Sequence, residues 1–315
     1  MQTPASRHLF HCNRALGSSS IMPPQSQHRL GLALVTAAAV AWSTAPFFTR
    51  LLPFDSWTIL FWRGLFGGGS IVALVFLTQA RAGLLHFISM GRSGWLVASL
   101  STMGMVSFIP ALQLTSAANV AVINAALPFV AAGLAWIWLR EAVGSRTLLA
   151  SLVVLCGVVI IVGGLGTPSD ILRLSLACSM VLAIGAMTVA LRRYKQTPMV
   201  AAAAWSNFLG SAISVPFAHD IASPSAIDLW VFAAFGFLQV GMGLTLYVLG
   251  SRLLPSTQAS LIATLESPLM PFWVWLAFRE VPPNHALVGG ALVMGAVITD
   301  IVGDQHRQKQ SEVVP

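Results

Sequence analysis

Long apolar runs without a charged residue restrict this chain more than any other feature of its sequence. Glu266 is the one charged residue within 253–278, and no Lys, Arg, Asp or Glu occurs within 30–49, 64–80, 93–139, 147–169, 174–191, 196–218, 229–251 or 281–299. A bilayer core is about 30 Å thick, so a helix that rises about 1.5 Å per residue needs roughly 20 apolar residues to cross it. The runs therefore predict membrane-spanning helices.

The predicted number of spans is ten, because the run 93–139 is long enough for two. Its polar cluster of Gln113, Thr115 and Ser116 lies near the middle of the run, where a short loop fits. The composition agrees, since 56% hydrophobic and 9% charged residues leave too little polar surface to coat a water-soluble globule. We predict an all-α integral membrane protein with ten transmembrane helices.

The positions of the basic residues predict the orientation of the spans. If the N-terminus is cytoplasmic, most lysines and arginines fall in cytoplasmic segments, and the outer segments hold Arg50, Arg173 and Arg279. The positive-inside rule favours this orientation. We predict a multi-pass protein of the inner, or cytoplasmic, membrane with both termini in the cytoplasm. Its cytoplasmic tails would be residues 1–29, which are predicted to be disordered, and residues 304–315. Met22 is an alternative start of the protein.

Several other classes of protein fit the sequence poorly. The net charge of +7 is scattered over short loops, so no nucleic-acid-binding face is expected. Residues 91–94 match a short serine-nucleophile pattern, but Arg92 lies inside it and no carboxylate partner is near. The sequence has no phosphate-binding Walker loop and no close-spaced cysteines. We therefore predict neither an enzyme, nor a cofactor, nor a metal site.

An internal repeat relates the two halves of the chain. Residues 115–163 recur at 255–302 with an offset of about 140 residues. The matched features are Pro128 with Pro268, Arg140-Glu141 with Arg279-Glu280, and Gly157 with Gly295. Five spans in each half is an odd number, so the second half would enter the membrane from the opposite side. Residues 30–165 and 171–303 are thus predicted to form two inverted five-helix repeats, an arrangement typical of transporters.

These features resemble the drug/metabolite transporter superfamily, and in particular its two-repeat permeases with paired EamA domains. The resemblance covers about residues 30–303 and rests on the repeated proline and Arg-Glu positions and on Trp42-Ser43 in the first span. It implies that solute crosses through a central cavity by alternating access. It does not name the solute.

Two charged residues inside predicted spans are the main candidates for a functional site, because a charge in the bilayer core costs about 2.5 to 3.5 kcal/mol on insertion scales. Glu266 lies near the middle of the ninth span, two residues before Pro268, and is a candidate proton carrier or ligand for an ammonium group. A hydrogen-bonded structural glutamate is the alternative. Pro128 and Pro268 are the predicted helix breaks, with a role in gating.

Arg63 lies within the second span, and its guanidinium has the geometry to bind a substrate carboxylate. Two alternatives are that the side chain extends to the outer interface, or that it pairs with Glu266. The remaining predicted substrate-binding residues are Trp42, Asn124, Trp205 and Tyr247. Other polar residues of the spans, including Asn207 and Gln239, are interpreted as contacts between helices.

The sequence predicts a secondary transporter, with export favoured, for a small organic metabolite such as an amino acid, a related zwitterion or an organic acid. Protons are the candidate coupling ion. An uptake permease for the same solutes and a non-transporting membrane scaffold or sensor are the alternatives. The expected partners are the solute and the lipid bilayer, and the protein would be a monomer or a homodimer.

Overall fold

The computed structural model describes residues 24–88, 90–140, 168–254 and 256–284, with single positions between 149 and 156 and between 287 and 299. All elements in these ranges are helical. Most of the predicted fifth and tenth spans, both predicted tails, Met22, Glu141 and Gly157 lie outside the described residues.

The helices of the first half are α1 (Pro24–Ser43), α2 (Ala45–Leu51), α3 (Ser56–Ile88), α4 (Gly91–Leu114), α5 (Ala117–Ala125) and α6 (Leu127–Leu139). Those of the second half are α7 (Pro168–Arg193), α8 (Met199–Ser214), α9 (Ala226–Phe235), α10 (Gly243–Ser251), α11 (Ser256–Ala263) and α12 (Glu266–Phe278). A π-helical segment, Gly236–Met242, joins α9 to α10.

Six helical stretches in the described part of the chain are long and apolar enough to cross a membrane. They are Gln25–Leu51, Ser56–Leu77, Gly91–Leu114, Ala117–Leu139, Leu174–Arg193 and Ala226–Ser251. The break predicted within 93–139 is present, and the Ser116 hydroxyl accepts a hydrogen bond from the Asn119 amide at the start of α5. The all-helical membrane fold is confirmed, whereas the count of ten spans and the inversion of the halves stay predictions.

Helices α6 and α12 correspond to each other in the two halves. Each has 13 residues and follows a break in the helix, α6 after Ala126 and α12 after Leu265. Each also ends at an arginine in the left-handed conformation, with φ 54° at Arg140 and φ 58° at Arg279. Residues other than glycine seldom adopt this conformation. The described parts of the repeated segments around α6 and α12 therefore fold into the same local structure.

Pro128 and Pro268 lie in the first turn of α6 and α12, respectively. A proline in the first turn removes no helical hydrogen bond, because the N–H groups there have no partner within the helix. Both prolines therefore mark the start of a new helix rather than a kink within a continuous one. Their role in gating stays a proposal.

Helices of the two halves pack against each other in pairs. α1 packs on α10, and α4 packs on α7. α3 packs on α8 and on the π-helical segment, and α4 also packs on α8. Glycines allow the closest approaches: a Cβ added at Gly236 would lie 2.6 Å from the Gly67 nitrogen and 2.9 Å from the Arg63 oxygen. The backbone of α3 therefore lies directly against the π-helical segment, and this contact positions Arg63.

Candidate functional site

A cavity of about 250 Å³ lies between helices of the two halves. Its walls are formed by side chains from α1, α3, α4 and α5 in the first half and from α7, α8, the π-helical segment, α10 and α12 in the second. Four of the six predicted substrate-binding residues line this cavity: Trp42, Arg63, Asn124 and Glu266. The fold thus brings together both of the charged residues that the sequence predicted to lie within spans.

Arg63 is held by a neutral partner. Its Nε donates a hydrogen bond of 2.9 Å to Oε1 of Gln239, and its Nη2 donates to the same oxygen. The guanidinium carbon lies 5.2 Å from the centre of the Phe235 ring, on which the cation packs. Nη1 has no hydrogen-bond partner among the described residues. Arg63 is only 4% exposed, so the alternative in which the side chain extends to the outer interface is wrong.

Gln239 owes its position to the π-helical segment, whose wider turn differs from the α-helix on either side. Such turns occur frequently at functional sites. The Gln239 side chain is 7% exposed and lines the cavity together with the arginine that it binds. Gln239 does make a contact between helices, as the sequence suggested, through its bond to Arg63. The sequence interpretation did not predict that Gln239 also lines the cavity.

Glu266 is the first residue of α12 and lies directly after the break between α11 and α12. The unpaired N–H groups and the dipole at a helix N-terminus favour a negative charge at this position. Its half-buried side chain lines the cavity. The Glu266 carboxylate makes neither an ion pair nor a hydrogen bond with the described residues. The ion pair found among those residues joins Arg50 to Glu280. Pairing of Arg63 with Glu266, one of the alternatives, is therefore not observed.

The three predicted aromatic residues differ in location. Trp42 lines the cavity, and its ring centre lies 5.1 Å from that of Tyr247, which is not among the cavity-lining residues. Trp205 is not among the cavity-lining residues. Its Nε1 donates a 3.0 Å hydrogen bond to the Phe87 oxygen, and its ring packs on Trp95 at 5.3 Å. The structure thus places Trp205 as a link between α8 and the end of α3.

Further polar residues in the cavity wall were not predicted as substrate-binding. Asn207 donates a 2.8 Å hydrogen bond from Nδ2 to the Ala203 oxygen, while its buried Oδ1 has no partner among the described residues. Ser101 donates to the Ser206 hydroxyl at 3.1 Å. Most of the remaining wall is apolar, with Met105, Met180, Met187 and Phe108 prominent. The site can therefore bind a small molecule that combines charged groups with an apolar part.

A second cavity, of about 380 Å³, lies between α3, α8 and α10, and Arg252 is one of its lining residues. Leu244 of α10 lines both this cavity and the central one. No group of three or more His, Cys, Asp or Glu residues that could hold a metal ion is found within the described ranges.

Comparison with known proteins agrees with the repeat. The model of the EamA-like transporter family matches residues 29–163 and 172–299. A crystal structure of another protein, 18% identical, superposes with a TM-score of 0.61 over 87% of this chain and 96% of that one, a likeness that shows the fold alone. No curated protein matches the chain. Because the two family matches cover most of the chain and coincide with its repeats, this protein belongs to the EamA-like transporter family and is a membrane transporter of small solutes.

Proposed function

We propose that this protein is a secondary transporter that exports a small zwitterionic or acidic organic metabolite, such as an amino acid, through the cavity between its halves. The observation that carries the proposal is the presence in one cavity of Arg63 and Glu266, which do not pair with each other. Two opposite charges that are free of each other can bind the carboxylate and the ammonium group of the same solute.

The size of the cavity supports a small solute. Pockets for drug-sized ligands have volumes of about 300 to 1,000 Å³. The central cavity, at about 250 Å³, lies below that range and suits a metabolite of amino-acid size. Its methionine-rich wall can adapt to solutes of different shape, because the unbranched thioether side chain is flexible.

Proton coupling is proposed from the position of Glu266. A carboxylate that faces the solute cavity and has no partner among the described residues can exchange a proton for the solute within the transport cycle. Alternating access would then carry the solute and the proton in opposite directions. Export rather than uptake is proposed from the family resemblance, and the flux measurement below distinguishes the two.

The test is solute flux through purified protein in liposomes. Amino acids, organic acids and cationic drugs are compared in both directions, with and without a pH gradient. Arg63→Ala and Glu266→Gln are measured beside the wild type, with Arg92→Gln, an exposed arginine outside the cavity, as the matched control. Size-exclusion profiles of all variants establish that they are folded.

We expect Arg63→Ala to lower flux of carboxylated solutes by about tenfold or more, since a charge-assisted hydrogen bond contributes about 1.5 to 3 kcal/mol. We expect Glu266→Gln to retain flux but lose its response to the pH gradient. Flux of carboxylated solutes that both variants leave unchanged would overturn the assigned site. If folded wild-type protein moves none of the solutes, the scaffold or sensor function is favoured instead.

A further inference from the structure

The second cavity, of about 380 Å³, follows one face of α10 from Leu244 to Arg252. The eight residues between these positions correspond to about 12 Å at the helical rise of about 1.5 Å per residue. Arg252 comes directly after Ala226–Ser251, a helical stretch long and apolar enough to cross a membrane. The cavity therefore has an apolar inner end and a basic end at the expected membrane surface.

The packing of the helices leaves this face of α10 uncovered. α10 packs mainly on α1, whereas α3 packs on α8, so the cavity lies between α10 and that second pair. Two of its lining residues are partly open to the outside, Leu249 with 49% exposure and Met199 with 38%. In a membrane, apolar surface that is open to the side of a helix contacts lipid. The cavity is therefore accessible to a lipid chain.

Of the side chains that line this cavity, Thr245 and Arg252 are polar. The Thr245 hydroxyl donates a 2.8 Å hydrogen bond to the Gly241 oxygen, so it already has a partner. Arg252 is exposed and makes neither an ion pair nor a hydrogen bond with the described residues. A zwitterionic solute would also need an acceptor for its ammonium group, and no carboxylate is found among the described residues that line the cavity. The lining thus suits a ligand with one anionic group and a long apolar part.

We propose that this cavity binds an anionic glycerophospholipid such as phosphatidylglycerol, with its phosphate at Arg252 and one acyl chain along α10 towards Leu244. Basic pockets between transmembrane helices bind anionic head groups in this way. An acyl chain gains no hydrophobic free energy when it leaves the bilayer, so the preference among lipids comes from the charge of Arg252. The positions of the basic residues predict that Arg252 lies on the cytoplasmic side, where the membrane surface is negative.

The inner end of the acyl chain would contact Leu244, which also lines the central cavity. A solute could then pass Leu244 only after the chain withdraws. This consequence rests on the proposed function, whereas the binding of the lipid does not. Lipid binding is therefore measured without solute and separately from flux.

The experiment titrates the purified full-length protein in detergent with phosphatidylglycerol or phosphatidylcholine, both with two oleoyl chains. A ligand that binds only the folded protein raises the melting temperature in a saturable way. We expect half-saturation with phosphatidylglycerol at a roughly fivefold lower concentration than with phosphatidylcholine, the usual effect of one basic side chain near the membrane surface. Arg252→Gln should remove this preference, and Arg252→Lys should keep most of it. The matched control is Arg92→Gln, because Arg92 is exposed and lines neither cavity.

Two further measurements test the position of the lipid. Glycerol 3-phosphate carries the phosphate without acyl chains, and a response to it as large as that to phosphatidylglycerol would contradict a lipid site. Val248 lines the cavity, so the larger side chain in Val248→Trp should occupy the space of the acyl chain and weaken the binding of both lipids. Unchanged binding in this variant would contradict the position of the chain along α10.

Equal half-saturation of the wild type by the two lipids overturns the proposal, and so does a preference that Arg252→Gln retains. If Arg252→Gln does not yield folded protein, the comparison of the two lipids on the wild type and on Val248→Trp decides. A preference for phosphatidylglycerol without solute flux would leave the lipid site standing and remove the proposed function. Solute flux without this preference would do the reverse.

Discussion

Arg50 and Glu280 form an ion pair that joins the two halves of the molecule. The Nε of Arg50 lies 3.1 Å from Oε2 of Glu280, and its Nη2 lies 3.3 Å from Oε1. The guanidinium also donates to the backbone oxygens of Gln113 at 3.3 Å and Thr115 at 3.1 Å. One side chain at the end of α2 thus connects the junction of α4 and α5 to the segment after α12.

The Arg50–Glu280 pair should contribute modestly to stability. The two side chains are 25% and 33% exposed, so solvent screens their attraction. A double-mutant cycle with Arg50→Gln and Glu280→Gln is expected to give a coupling energy of about 0.5 to 1 kcal/mol in thermal unfolding. Arg50→Gln alone should destabilise more than Glu280→Gln, because it also removes the donors to two backbone oxygens. Equal effects of the two single variants would contradict this arrangement.

Asp55 caps the start of α3, and its Oδ1 accepts hydrogen bonds from the Trp57 amide at 2.9 Å and the Thr58 amide at 3.1 Å. Asp55→Ala should destabilise the protein by about 1 kcal/mol, the usual effect of removing such a cap. Thermal unfolding measures the difference. Asp55→Asn keeps one acceptor and should lie between the wild type and Asp55→Ala.

The same residue predicts a pH dependence. Burial acts to raise the pKa of Asp55, but hydrogen bonds from the Thr58 side chain and from the Thr58 and Trp57 amides outweigh it and hold the pKa below its usual value. A carboxyl with a lowered pKa stabilises the folded protein above the unfolded pKa of about 3.9. This stabilisation is lost as the pH falls through the lower pKa of the folded state. The stability advantage of the wild type over Asp55→Asn should therefore shrink below about pH 4, and an advantage that grows there would be contrary evidence.

Gly236 should tolerate no side chain. An added Cβ would meet the backbone of α3 at 2.6 and 2.9 Å, and backbone atoms cannot turn aside as a side chain can. We expect Gly236→Ala to lower stability by about 1 to 3 kcal/mol, as overpacking does, and to weaken solute flux by displacing Arg63. Gly69→Ala is the control, because Gly69 lies in α3, the helix that Gly236 contacts, and an added Cβ there would meet no atom within 4 Å.

Trp42 and Trp205 should respond differently to the same substitution. Trp42→Phe changes a wall of the cavity, so we expect the half-saturating solute concentration to rise by about tenfold or less with little loss of stability. Trp205→Phe removes the hydrogen bond to Phe87 and should destabilise the protein by about 1 kcal/mol without changing solute affinity. Flux titrations and melting curves on the same preparations compare the two, and a change of affinity in Trp205→Phe would contradict its placement.

The sequence predicts much of this site because charge inside a membrane is rare. Arg63 and Glu266 stand out from long apolar runs, and both line the central cavity. The repeat of Arg140 at Arg279 likewise predicted the same local structure in the two halves, and both residues adopt the left-handed conformation. These features follow from composition and repetition, which a single sequence displays directly.

Other parts of the site depend on tertiary geometry that the sequence does not display. Gln239 rather than Glu266 binds Arg63, because a π-helical turn sets its direction and the glycines beside it let α3 approach. The depth of Trp205 in its predicted span suggested a cavity residue, yet its side chain does not line the cavity and instead donates a hydrogen bond to the Phe87 oxygen. Depth in a span is visible in the sequence, but the direction of a side chain is not.

Leu244 lines both cavities, and we expect this shared side chain to make the two ends of the proposed solute path unequal in speed. A side chain can change rotamer within nanoseconds, whereas a shift of packed helices takes microseconds to milliseconds. If the proposed solute path continues past Leu244 into the cavity that Arg252 lines, a change of side-chain rotamer would open that end, whereas an opening on the side of Arg50 would require release of an ion pair that joins the halves. The waiting time of each transport cycle is therefore expected to lie at the Arg50 end.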